Sequence, residues 1–219
     1  TSEQLLGEVK KLTSYAHRIL YYGPESGKAV VSAIAANHRK GAFNPAPARV
    51  DYAYSLTPKN TVLLAQYDAK QIYYIQYSNR GEGFDTKNDP DIRLYNYYFG
   101  GGMNAIVFQE MREARGLAYS AQAYISQPRQ KKDPYYYFAF IATQNDKMAQ
   151  AIDAFEEIIN RMPESQAAFS LAKECLISDI RTNRVIKYDV LNSYLNAQDM
   201  GVLVDRNKAV FAKVPSMTL

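Results

Sequence analysis

Phe99-Gly100-Gly101-Gly102-Met103-Asn104-Ala105-Ile106-Val107-Phe108-Gln109-Glu110-Met111-Arg112-Glu113-Ala114-Arg115-Gly116-Leu117-Ala118-Tyr119-Ser120 is the stretch on which the fold turns. It reads as the end of one helix, a glycine triplet, a second short helix, a stop and a strand. Asn104 is a candidate N-cap, because its side-chain oxygen can accept from an unpaired amide of the first turn. The helix it opens reaches Arg115, and Gly116 is able to take the left-handed conformation that ends a helix. The strand Leu117 to Ile125 follows directly. The glycines follow a helix and lack the Gly-Lys-Ser/Thr ending of a phosphate loop, so they read as a sharp turn or a close approach of backbone.

Upstream of this stretch, Asp89 caps a helix with Pro90 at its first position, where a missing amide costs nothing. Ile92, Tyr95 and Phe99 share one of its faces. Thr61 to Tyr67 and Gln71 to Tyr77 are β-prone runs separated by Asp68-Ala69-Lys70, a spacing suited to an antiparallel hairpin in the central sheet. Nearer the start, Ser2 to Leu12 has helical spacing, and His17 to Tyr22 reads as a short strand stopped by Gly23-Pro24. A further helix runs from about Ser26 to His38.

Downstream, Pro128 to Pro134 connects the strand to a second one, Tyr135 to Ala142, as an antiparallel pair. Three helices then span Lys147 to Arg161, Ser165 to about Lys187, and Tyr188 to Met200, with breaks at Pro163 and Gly201. From Asp205 onward the pattern assigns no element. The expected class is α+β: a mostly antiparallel sheet with helices packed on one face.

At 219 residues the chain can bury the core of one domain. A net charge of +4 spread among 26 basic and 22 acidic residues argues against nucleic acid as a partner. The densest basic run, Arg129-Gln130-Lys131-Lys132, lies between prolines and reads as a solvated loop. No stretch approaches the ~20 apolar residues of a membrane span, so a soluble chain is expected. Thr1-Ser2-Glu3-Gln4-Leu5-Leu6 lacks a signal-peptide pattern and reads as a trimmed or processed start. Cys175 is the single cysteine, in a helical context that suits a small buried hydrophobe. It chooses neither a periplasmic nor a cytoplasmic location.

Metal chemistry lacks its ligands in this pattern. His17 and His38 are the two histidines, 21 positions apart, and neither has a companion at ligand spacing. The His-x-x-Glu-His helix of an inverted zincin is absent. Ser120 has no nucleophile elbow around it. Arg112 and Tyr119 remain, one in the last turn of a helix and the other on the next strand, folded by Gly116 towards the same end of the sheet. Arginine is a permanent cation with five donors, and tyrosine adds a neutral hydroxyl. Together they can grip a peptide carbonyl, and a donor placed where charge develops on that oxygen is worth ~3 to 4 kcal/mol in proteases. The same two placements also arise from the helix dipole and from strand preference alone.

The phrase Phe108-Gln109-Glu110-Met111-Arg112-Glu113-Ala114-Arg115-Gly116-Leu117-Ala118-Tyr119 resembles a signature of the pitrilysin/insulinase family of zinc metallopeptidases. The glycine triplet before it, the two strands after it and the later helices match the family order from about Arg18 to Met200. The resemblance implies tandem copies of one module, with zinc in the first and an Arg/Tyr pair in a later copy, closing like a clamshell on a peptide. Arg112 and Tyr119 map onto that pair. On this reading residues 1–219 form a single metal-free substrate-binding module, with 202–219 as a linker or truncated end. The zinc belongs to a catalytic module in the same chain or in a partner subunit, and the module alone is inactive. Two alternatives stay open: an inactive homologue serving as a scaffold, and a peptide-binding domain that adds a strand to an exposed sheet edge.

Overall fold

The computed structural model describes residues 1–38, 41–48, 50–202 and 204–219. The chain divides into two compact units, Thr1–Ala53 with Val185–Leu195, and Tyr54–Arg184 with Asn196–Leu219.

In the first unit, α1 (Ser2–Lys11) opens on a capping box in which Thr1 and Gln4 satisfy each other's amides. Ser26 caps α2 (Gly27–Asn37). Neither helix buries a residue. The strand expected over His17 to Tyr22 is absent, and only an isolated bridge joins Tyr15 to Asn44. Ile19, Tyr21 and Tyr22 stay exposed. β-branched and aromatic residues favour strands by packing on a pleated surface, and among the described residues no strand lies beside this run.

The second unit is built on a three-stranded antiparallel sheet, with β1 (Gln71–Ser78), β2 (Ser120–Ser126) and β3 (Tyr136–Gln144) in the order β1-β3-β2. The β2–β3 pair is as the sequence implies. The hairpin of Thr61 to Tyr67 with Gln71 to Tyr77 is not formed: Val62, Leu63 and Leu64 are exposed, and β1 pairs with the distant β3. Ring pairs such as Tyr73 with Phe140 (5.5 Å) and Tyr77 with Tyr136 (5.3 Å) accompany that choice. Non-local aromatic pairing thus prevails over the short connection.

Alternate residues of the strands, Ala121 and Ala123 of β2 with Ala139 and Ile141 of β3, turn to a core shared with helices. Those helices are α3 (Asp89–Phe99), the short α4 (Ile106–Phe108), α5 (Met148–Asn160), α6 (Gln166–Thr182) and, beyond α7 (Lys187–Met200), α8 (Arg206–Lys213). Phe99, Val107, Met111, Phe155, Leu176 and Val210 are buried to 1% exposure or less. The class is α+β, as expected.

Several boundaries differ. Asn88, not Asp89, is the N-cap of α3, and Asp89 turns inward instead. α6 ends at Thr182 rather than near Lys187. Cys175 is half-buried rather than a core residue. The tail, which carried no signal, holds α8 and a 3-10 turn, Val214–Ser216; buried Val210 and Val214 anchor them to the core.

The glycine triplet is a site of close backbone approach. A Cβ on Gly100 would lie 2.0 Å from the Ala123 carbonyl oxygen and 2.6 Å from the Ala123 nitrogen. The Ala123 amide also donates to the Gly100 carbonyl (3.4 Å), and Asn96 exchanges two hydrogen bonds with the Ile125 backbone (2.8 and 2.9 Å). The end of α3 thereby fills the outer edge of β2. Gly100→Ala is expected to cost about 3 kcal/mol, the range of overpacking against fixed backbone. Gly102→Ala is the control, because a Cβ there meets nothing within 4 Å. Equal urea midpoints for the two variants would refute this account.

Candidate functional site

The segment that carries Arg112 is not a simple helix. Asn104 does not cap it: Ala105 is the N-cap, its amide donating to the Gly102 carbonyl (3.1 Å) in a turn that delays the first helical residue. After the one turn of α4, residues Gln109–Ala114 widen into a π-helix. Such turns are rare and are frequent at functional sites. The amides of Leu117 (2.9 Å) and Ala118 (3.2 Å) both donate to the Met111 carbonyl, while Gly116 adopts φ +59° and donates to the Arg112 carbonyl (3.1 Å). With those amides turned back, β2 starts at Ser120 rather than Leu117. Tyr119 stands just before it, its amide donating to Ala142 (3.0 Å).

This turn is held on several sides. Met111 is fully buried beneath it, the Thr143 hydroxyl donates to the Leu117 carbonyl (2.5 Å), and the Lys147 ammonium donates to the Gly116 carbonyl (3.3 Å). Arg115 bonds Glu157 of α5 at 2.8 Å and approaches Glu110 at 3.5 Å. The hydrogen bond with Glu157 holds the Arg115 guanidinium above its ordinary pKa and the Glu157 carboxyl below the usual carboxylate value.

On this base the two residues singled out by the sequence meet. The Arg112 guanidinium carbon lies 5.6 Å from the Tyr119 ring centroid and 5.0 Å from that of Phe108. Each cation–π contact contributes about 0.5–1 kcal/mol at an exposed site. The nearest carboxylate is its neighbour Glu113, 3.6 Å away. Tyr119 is 73% exposed and about half of the Arg112 side chain is exposed. Donors are thus presented to solvent by a rigid turn, which suits a carbonyl or carboxylate ligand. Phe108 was not among the expected site residues. Its i,i+4 spacing to Arg112 was the available signal.

Among the described residues no group of three or more His, Cys, Asp or Glu could hold a metal, and no helix is long and apolar enough to cross a membrane. His17 and His38, distant in sequence, are brought together at 2.8 Å between Nε2 atoms.

A family model described as the peptidase M16 inactive domain matches residues 16–176. Among solved structures, the chain resembles the peptidase M16 inactive domain from Pseudomonas fluorescens at 16% identity and TM-score 0.56, covering 69% of this chain and 36% of that one. A protease from Helicobacter pylori aligns at 17% identity and TM-score 0.60, covering 87% and 48%. A conserved protein from Enterococcus faecalis aligns at 15% and 0.60, covering 88% and 45%. The chain therefore spans less than half the length of these three structures. No curated protein matches it. The phrase around Arg112 and Tyr119, the α+β fold and the span of the family match agree: the chain belongs to the peptidase M16 family, as its inactive, non-catalytic domain.

Proposed function

We propose that the chain, as a single module, is the half of a zinc metalloendopeptidase that lacks the catalytic zinc, and holds the peptide while a zinc-bearing module, in the same chain or a partner subunit, cleaves it. The observation that carries this reading is the Arg112/Tyr119 pair, side by side and exposed on a pinned π-turn. A guanidinium N–H and a phenol O–H converging on one scissile carbonyl oxygen stabilise the charge that develops as water adds to the carbon. The zinc module supplies the activated water. The proton stays on Tyr119 and the positive charge on Arg112 throughout, so their part is binding and electrostatics.

The test combines separately purified modules. This chain alone is expected to show no endopeptidase turnover, and the zinc module alone little. Mixing them restores chelator-sensitive cleavage of a peptide substrate. Turnover by this chain alone, or full activity of the zinc module without it, overturns the proposal; the second outcome favours a scaffold.

A further inference from the structure

The chain has two histidines, and they lie in the same unit with their Nε2 atoms 2.8 Å apart. Backbone pairing brings them together. The Ala16 amide donates to the Asn44 carbonyl (2.8 Å) and the Asn44 amide to the Ser14 carbonyl (2.9 Å), which lays the segment before His17 along the segment containing Phe43. His38 is the C-cap of α2, its amide donating to the Ile34 carbonyl (2.7 Å). The Phe43 ring packs edge-on against His17 at 5.3 Å and lies 5.7 Å from His38.

The opposite nitrogen of His17 fixes what its Nε2 can do. His17 Nδ1 lies 2.7 Å from the Tyr15 carbonyl oxygen. A carbonyl only accepts, so Nδ1 carries the hydrogen, and in the neutral ring Nε2 is the lone-pair nitrogen facing His38. A backbone carbonyl on the far nitrogen is the usual orienting contact of a metal-binding histidine.

We propose that His17 and His38 form a two-imidazole chelate for a borderline divalent transition-metal ion such as Zn²⁺ or Ni²⁺, bound through both Nε2 atoms with water completing the shell. Two nitrogens bound side by side at about 2.0–2.1 Å from one ion stand about 2.9–3.4 Å apart. The observed 2.8 Å needs to open by a few tenths of an ångström, and the rings, whose centroids stand 4.9 Å apart, turn so that both Nε2 lone pairs aim at the ion instead of along the line between them. Without the ion, His38 Nε2–H donates to His17 Nε2; when the ion binds, that hydrogen is lost to solvent and the His38 ring takes one up on Nδ1, while two metal–nitrogen bonds replace two metal–water bonds. His17 is exposed and His38 half-buried, so the ion enters from solvent. The site has no third protein ligand among the described residues and is not hydrolytic. Its role is a clip, joining the segment before His17 to the end of α2 in a unit whose two N-terminal helices bury no residue. Small cores gain stability from such clips because the ion binds the folded arrangement only.

This inference is independent of the Arg112/Tyr119 reading. The chain, free of any affinity tag and stripped with chelator, is titrated with NiCl₂ or ZnCl₂ near neutral pH by equilibrium dialysis. One ion per chain is expected, with at least a tenfold loss of affinity in His17→Gln and in His38→Gln. Carbethoxylation of the unsubstituted chain gives a readout that needs no variant: both histidines react without metal and both are protected at saturation. Absence of saturable binding, affinity unchanged by either substitution, or histidines still reactive at saturation overturns the proposal.

Discussion

If the chain holds the peptide as proposed, Arg112→Ala in the assembled enzyme is expected to lower kcat/KM by about 10²- to 10³-fold, the usual cost of removing one donor aimed at a developing oxyanion. Zinc occupancy should not change, because the described residues around Arg112 include no group able to hold metal. Tyr119→Phe is the sharper variant. It keeps the ring against the Arg112 guanidinium and deletes only the hydroxyl, so a loss of similar size assigns the effect to the donor rather than to packing. Arg112→Lys keeps the charge but loses the planar fork, and should recover only part of the activity. Steady-state kinetics with metal analysis decide the matter. Unaltered kcat/KM in both Arg112→Ala and Tyr119→Phe would reduce the pair to a structural contact, whereas lost zinc would mean a misfolded module.

The second large effect is expected in stability. Asp89, only 1% exposed, accepts two hydrogen bonds from the Arg206 guanidinium (2.5 and 2.6 Å), and Arg206 also donates to Gln127 (2.6 Å) while lying 5.0 Å over the Phe84 ring. Removing one partner of a buried pair costs about 3–5 kcal/mol because the other charge is stranded. The two partners are not equally placed. The Arg206 side chain is 28% exposed and can turn to water, but Asp89 cannot. Arg206→Ala should therefore destabilise by about 4 kcal/mol and Asp89→Ala by about 3 kcal/mol, with the double variant far from their sum. Urea unfolding and amide exchange in α3 and α8 measure this. A larger effect for Asp89→Ala would contradict the account.

The parts of the fold legible in sequence were those specified locally. Pro90 at a helix start, Gly116 at a helix end, and the apolar stripe of Phe155, Ile158 and their neighbours all name their own structure. The Arg112/Tyr119 pair was legible for the same reason, since one short phrase contains both residues and the glycine between them. Features decided by distant partners were not. Asp89 looked like a cap because nothing nearby reveals Arg206, 117 positions later. Thr61 to Tyr67 has strand chemistry without a ladder, and α8 is too short and polar to show a stripe until Val210 is seen in the core. The π-turn follows from where the amides of Leu117 and Ala118 bond, and no residue preference encodes that choice.

The end of α3 seals one side of the sheet, and this limits how the chain can associate. Asn96 and Gly100 occupy the outer rim of β2, and among the described strands β1 pairs with β3 alone, with Thr57 bonded to Asn79 just past its end. A sheet with two open rims can propagate indefinitely into a fibre, whereas a sheet with one open rim cannot. Were two copies to meet through β1, they would pair about a two-fold axis and growth would stop there, since each would use up the surface it offers. The triplet that turns the chain after α3 thus also acts as a terminator of strand-by-strand growth.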